Sequence, residues 1–284
     1  MAVHATFPYS LIEDKRTNYK MQRERHMEKP GRERLAAVSK GDGLELGKSA
    51  ELHTQLAQKL GIDILGRKWL PGDILPSEVD MANTYSISRP AVREAIRTLA
   101  AKGMVEPRRR RGTCVTERVK WNMLDPDVLS WMFASKPDET LVKNLFEMRL
   151  ILEPAAARFA AQRRTDAHLE AMSNALIIMG RETLLTEAGL QADIDFHAAL
   201  MAAAGNEQLG AMNASIGATV ALSNRYKIAH NILGRDPVPA HMAVYEAILN
   251  RDAEEAHWCM QYLVRLAVKD LLHMDAIEDL PPPE

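Results

Sequence analysis

Two groups of residues in this chain have types and spacing that could do chemistry. The first is Asp193-Ile-Asp195-Phe-His197, joined much later by His241. Asp193 and His197 are four residues apart and share one face of a helix. His241 opens a later helix, beyond the break at Pro237–Pro239. One carboxylate and two imidazoles form part of a shell for a divalent metal, Zn or Ni for such O/N donors. The same three groups can instead hydrogen-bond the hydroxyls of a polar ligand. An Asp-x3-His pair alone is more often structural than functional, so the triplet needs support from its surroundings. Arg149 supplies some. It sits in Glu147-Met-Arg149-Leu-Ile-Leu-Glu153-Pro, a helix otherwise built of apolar residues. A guanidinium there requires an anion, either a core carboxylate or a carboxylate ligand, and its planar fork suits that group. Asn224, Arg225 and Arg265 are further polar candidates for the same pocket.

The second group is basic. Arg89, Arg93 and Arg97 recur every four residues, and Arg108–Arg111 run consecutively before Gly112. An Arg near a helix N-terminus can contact the O6 and N7 atoms of guanine. Ser88 and the free amides beside it can hold a phosphate. Arginines in a short hairpin can lie on the backbone or reach into the minor groove. Each feature alone is compatible with a solvated surface. Their order along the chain, from helix to turn to Arg-bearing helix to basic hairpin, points to DNA.

The elements that must position these groups follow from local signals. Leu52, Leu56, Leu60 and Ile64 give a first helix over about 49–65, broken by Gly66 and Pro71-Gly72. Ser77 caps a second helix ending near Asn83. Ser88 caps a third, with Pro90 in its first turn and Gly103 after its end. Short strands at Val105-Glu-Pro and Thr113-Cys-Val-Thr flank the wing. From Glu139 to Asp275 the pattern is helical, with breaks near Thr165, Gly189, Gly205, Gly234–Pro239 and Asn250, giving six or seven helices. The fold expected is mainly α: an N-terminal winged helix-turn-helix and a C-terminal all-α helical bundle. Its divisions are a disordered basic extension (1–48), the DNA-binding domain (49–120), a hinge (121–136), an effector-binding and dimerisation domain (137–276) and a disordered tail (277–284).

Charge follows the same division. The net charge is −2, but residues 49–120 carry 13 Lys+Arg against 8 Asp+Glu and residues 121–284 carry 13 against 23. The polyanion contact therefore belongs before residue 120. Two distant cysteines, no long apolar run and no signal-peptide core lead to the expectation of a reduced cytoplasmic protein with no membrane span.

Pro71-Gly72, Leu75-Pro-Ser-Glu78, Ser88-Arg89-x-x-Val92-Arg93-Glu94-Ala95 and Arg111-Gly112-Thr113-x-Val115 resemble the GntR family of bacterial transcription regulators. The helical part is similar to the FCD ligand-binding domain of its FadR-like subfamily. The resemblance implies a homodimer on a palindromic operator, released when a small metabolite binds the second domain. It implies that Ser88, Arg89, Pro90 and Arg93 contact DNA from the recognition helix and Arg109, Arg110 and Gly112 from the wing. It further implies that Arg149 holds a carboxylate effector. Two positions depart from the family. Val79 stands where an Arg usually follows Glu78. In the metal-binding members a fourth ligand follows the later His by 22 residues, and here that position is Leu263. The hinge Trp121-Asn-Met-Leu-Asp-Pro-Asp-Val-Leu-Ser-Trp-Met is similar to that of sugar-acid regulators of the galactonate type, which also lack the last His. An aldonate or related hydroxy acid is the effector class this implies. The chief reading is a repressor released by such an acid. The alternatives are a metal-dependent enzyme using Asp193, His197 and His241, which no nucleophile–base pair or phosphate loop supports, and an effector-independent DNA binder.

Overall fold

The computed structural model describes residues 49–134, 139–229 and 235–272. The expected extension (1–48) and tail (277–284), and the last two positions of the expected hinge, lie outside them. The chain divides into two compact units between residues 138 and 139.

The first unit contains α1 (Ser49–Leu65), α2 (Glu78–Tyr85), α3 (Arg89–Ala101), β1 (Val105–Arg108), β2 (Gly112–Val115) and α4 (Pro126–Ala134). Leu56, Leu60 and Ile64 of α1 are buried, as their spacing requires, against a core that includes Val92, Ala95 and Leu99 of α3. Both expected caps form: the Ser77 hydroxyl accepts from the Asp80 amide and the Ser88 hydroxyl from the Ala91 amide. The helix-turn-helix bend falls at Ser86, whose φ of 53° is left-handed. Helix α2 runs two residues past the expected Asn83. The wing is an antiparallel hairpin with Val105 opposite Val115 and Arg108 opposite Gly112. Arg110 (φ 64°) and Gly112 (φ 97°) turn it.

Residues 121–134 form more than a connector. Trp121 is buried, and α4 packs on α1 so closely that a Cβ at Gly61 would stand 2.2 Å from the Trp131 ring. Lys102, at the C-terminal cap of α3, pairs with Asp125 and Asp127 at 2.7 Å each and lies 5.6 Å above the Trp131 ring. This clamp joins the end of α3 to α4, the last element before the helical unit.

The second unit has seven helices among the described residues: α5 (Glu139–Arg163), α6 (Asp166–Glu182), α7 (Glu187–Ala203), α8 (Glu207–Ala211), α9 (Asn213–Ala229), α10 (Val238–Leu249) and α11 (Ala253–Leu272). α5 packs along α11 and against α7, α6 along α7, and α9 against α7. Its cysteine, Cys259, and Cys114 of the first unit are both free and buried. No helix among the described residues is long and apolar enough to cross a membrane.

One expected break is misplaced. Gly189 lies in the first turn of α7, and the chain turns at Thr183–Thr186, where Thr183 has φ 57°. Gly189 serves close approach instead: a Cβ there would stand 1.7 Å from the Thr183 carbonyl oxygen. Gly189→Ala should therefore destabilise the protein by about 1–3 kcal/mol in urea unfolding, as overpacking does. Gly210→Ala, at a glycine with nothing within 4 Å of the added carbon, should be neutral or mildly stabilising.

Candidate functional site

The candidate nucleic-acid face lies on the first unit. Arg89, Arg93 and Arg97 are all exposed along α3, and Arg109 and Arg110 are exposed at the wing tip. Ser88 and Pro90 sit at the helix start, where the Ser88 hydroxyl is occupied as the cap. Arg93 is held by Glu78 of α2 at 2.7 Å, and Arg97 by Glu94 at 2.6 Å. Exposed pairs of this kind are worth little, so a phosphate or a guanine edge can displace the carboxylates. Arg108 is folded back on Glu106, which Lys120 also reaches at 3.1 Å. Val79 is exposed on α2, so an apolar side chain occupies the surface where the resemblance leads one to expect an Arg.

The second candidate site is a cavity in the helical unit. Arg149 of α5, Asp193 and His197 of α7, Asn224 and Lys227 of α9, His241 of α10 and Leu263 of α11 all line it. They come from five helices, so the helix packing brings them together. Asp193, His197 and His241 offer three ligand atoms within 4.8 Å of one another, all from buried residues. Asp193 Oδ1 is 2.9 Å from His241 Nε2 and 3.6 Å from His197 Nε2. Asp193 Oδ1 and His241 Nε2 are nevertheless outside hydrogen-bond alignment with any partner. The other side of each group is engaged. The Asn224 amide donates to Asp193 Oδ2. His241 Nδ1 stands 2.8 Å from the Pro237 carbonyl, which can only accept, so Nδ1 is the donor of that contact. His197 Nδ1 faces Glu153 Oε2 at 2.6 Å, though without hydrogen-bond alignment. A carboxylate or carbonyl behind each imidazole is the arrangement that orients histidines toward a metal.

The electrostatics favour a cation at this point. Burial would raise the Asp193 carboxyl, but His197 and His241 beside it hold it well below the usual range. Burial likewise works against ionised Glu153, yet Arg149 and His197 bring it down to about 2. For His197, burial is overcome by Glu153 and Asp193, which lift the imidazole to about 9. Two buried carboxylates thus surround His197 with negative potential, which a proton or a metal ion can satisfy.

The structure brings together five residues singled out from sequence: Arg149, Asp193, His197, Asn224 and His241. It resolves what Arg149 faces. Its guanidinium donates to both oxygens of Glu153 and lies 5.2 Å from the centre of the Phe146 ring. Arg225 and Arg265 do not line the cavity; Arg225 is exposed and pairs with Glu187 at 3.1 Å. Leu263 does line it, so an apolar side chain stands at the position where the family's fourth ligand would be. Sequence reading missed Glu153, Lys227, Arg235 and Asp270. Glu153 alone had a local signal, since it follows Arg149 by one helical turn.

A winged helix-turn-helix joined to a helical unit with a buried polar cavity defines a class: a DNA-binding transcription regulator with a ligand domain. Residues 52–115 match the bacterial regulatory proteins of the gntR family, and residues 144–266 match the FCD domain. The chain is 33% identical over 198 residues to the galactonate operon transcriptional repressor of Escherichia coli strain K12, covering 69% of this chain and 86% of that protein. It is 32% identical over 230 residues to the HTH-type transcriptional regulator YieP of the same strain, covering 78% and 96%. Among solved structures, that of Lar, which controls the expression of the Listeria monocytogenes agr system, spans 84% of this chain and 100% of its own. Its TM-score of 0.58 at 18% identity marks a shared fold. The chain belongs to the GntR family of transcription regulators, in its FadR-like branch with an FCD domain. Members of this family bind operator DNA, typically as dimers.

Two predictions follow from these sites. Arg93→Ala should weaken specific operator binding by about 1–3 kcal/mol and relax base preference, whereas Arg110→Ala should weaken binding to all sequences and lower the salt slope by about 1. Anisotropy titrations at several salt concentrations separate the two. Glu153→Gln should cost about 3–5 kcal/mol in urea unfolding, because it leaves a buried guanidinium uncompensated. Arg158→Ala, which breaks an exposed pair with Glu254, should cost less than about 1 kcal/mol.

Proposed function

We propose that this protein is a metabolite-responsive repressor. It binds operator DNA as a homodimer through α3 and the wing, and releases it when a small hydroxy acid enters the cavity of the helical unit. The observation that carries this reading is the set of buried ligand atoms on Asp193, His197 and His241. They meet in a cavity, yet Asp193 Oδ1 and His241 Nε2 lack aligned hydrogen-bond partners. Buried polar atoms left in this way are costly unless something arrives to use them.

The donors fit a divalent metal of the Zn or Ni kind. When bound, such an ion supplies positive charge and open positions for oxygen ligands of the effector. The chain's own residues do the rest. Glu153 and the Pro237 carbonyl orient the two imidazoles. Asn224 fixes the Asp193 carboxylate, and Leu263, Val220 and Leu184 supply apolar lining. Lys227, whose partner Asp270 is shared with Arg235, gives the lining a cation for an acid. The relative named for the galactonate operon makes an aldonate the first acid to try. The regulator family favours binding over turnover.

Differential scanning fluorimetry on the full chain tests this. Divalent metals and hexonates should each raise the melting temperature, by an amount equivalent to about 2.7 kcal/mol at a hundredfold excess over Kd. Asp193→Asn should abolish the metal response while leaving DNA binding intact. A flat response to every acid and metal would leave effector-independent DNA binding as the function.

A further inference from the structure

Lys227 lies on α9, one turn beyond Asn224, and lines the cavity that Asp193 and His241 share. It is 8% exposed and makes no hydrogen bond among the described residues. Its ion-pair partner is Asp270 of α11 at 3.6 Å, a carboxylate that Arg235 already engages at 2.8 Å. Burial depresses the Lys227 ammonium below the ordinary lysine range, with Asp270 acting against that trend. A largely buried ammonium whose one ion-pair partner stands at 3.6 Å and is shared with Arg235 is under-compensated. Arg149 presents the opposite case: it faces the same cavity, but its guanidinium is taken up by Glu153.

We infer that Lys227, and not Arg149, takes the acid group of the effector. Arg149 then serves to hold Glu153 behind His197, as a positioning residue. The inference rests on the reading of this cavity as the effector site, and adds to it an orientation. The carboxylate of the hydroxy acid lies toward α9 and α11, where Lys227 gains a full-charge acceptor and Arg235 and Asp270 flank it. The hydroxyls lie toward Asp193, Asn224, His197 and His241, whose acceptors and donors suit them. Val220 and Ala267 add apolar lining to the cavity, and charge-assisted bonds away from bulk water are strong. An uncharged polyol of the same length satisfies the hydroxyl end and leaves Lys227 unmet.

The test compares the full-length protein with Lys227→Met and Lys227→Arg, using D-galactonate and D-gluconate as acids and galactitol as the uncharged counterpart. Calorimetric titration should show both acids, or one of them, binding the unaltered protein in preference to galactitol. Lys227→Met should weaken that binding by about 10- to 100-fold, and Lys227→Arg should keep most of it. Without ligand, Lys227→Met should melt at a higher temperature, because an under-compensated buried charge has been replaced by an apolar side chain of similar length. Undiminished acid binding by Lys227→Met overturns the inference and leaves the effector reading standing. A lower melting temperature together with lost binding that Arg does not rescue assigns Lys227 to a structural pair with Asp270, and also overturns it. Failure of the unaltered protein to bind either acid removes the effector reading and this inference together.

Discussion

The helical unit depends on a buried run of charge: Arg149 to Glu153, Glu153 to His197, and His197 to Asp193, which His241 and Asn224 complete. All six residues are at most 6% exposed. Removing ionised groups from water costs several kcal/mol each, which geometry and additional partners must repay. Replacing them with leucines would give a simpler and often more stable core. Retaining them makes physical sense where the unmatched valences at the centre receive something from outside. The run crosses α5, α7, α9 and α10, so whatever fills the centre acts on the packing of four helices together. A ligand that binds one packing better than another shifts the population between them, by as much as its affinities differ.

The DNA-binding unit is built on a different constraint. The arginines of α3 and the wing tip are exposed and loosely paired, while the unit's rigidity comes from caps, a tight hairpin and the Lys102 clamp on Asp125 and Asp127. That division suits its partner. The arginines remain free to exchange Glu78 and Glu94 for phosphate or base edges, while α3 and the wing stay fixed relative to each other. The clamp also seats α4, the segment leading toward the helical unit. Trp131 lies under Lys102 and against Gly61, so α4 is fastened to α1 and α3 at once.

What was legible in the sequence was local. Ser77, Ser88, Pro90, Gly103 and the Leu52–Ile64 period mark helix starts, stops and faces over a few residues, and the winged helix-turn-helix follows from them with errors of two residues or so. Asp193 and His197 were legible as a pair because one helical turn relates them. Gly189 was misread because a glycine needed for close approach to a carbonyl looks, in sequence, like one that ends a helix. Arg225 was singled out and Lys227 missed because only the rotation of α9 within the bundle decides which of them faces inward. Lys227, Arg235 and Asp270 come from three segments, and no short-range spacing connects them. Glu153 was within reach, but sequence could not say whether Arg149 would prefer it to a ligand.

In the proposed switch, occupancy of the helical cavity lowers affinity for DNA. The direct test is fluorescence anisotropy of the full-length protein on labelled DNA from upstream of its own gene, with and without a hexonate that binds it. The unaltered protein should lose operator affinity at least roughly tenfold, within the usual range of allosteric coupling, and Asp193→Asn should show no such loss. Operator affinity that stays unchanged while the acid is bound would contradict it.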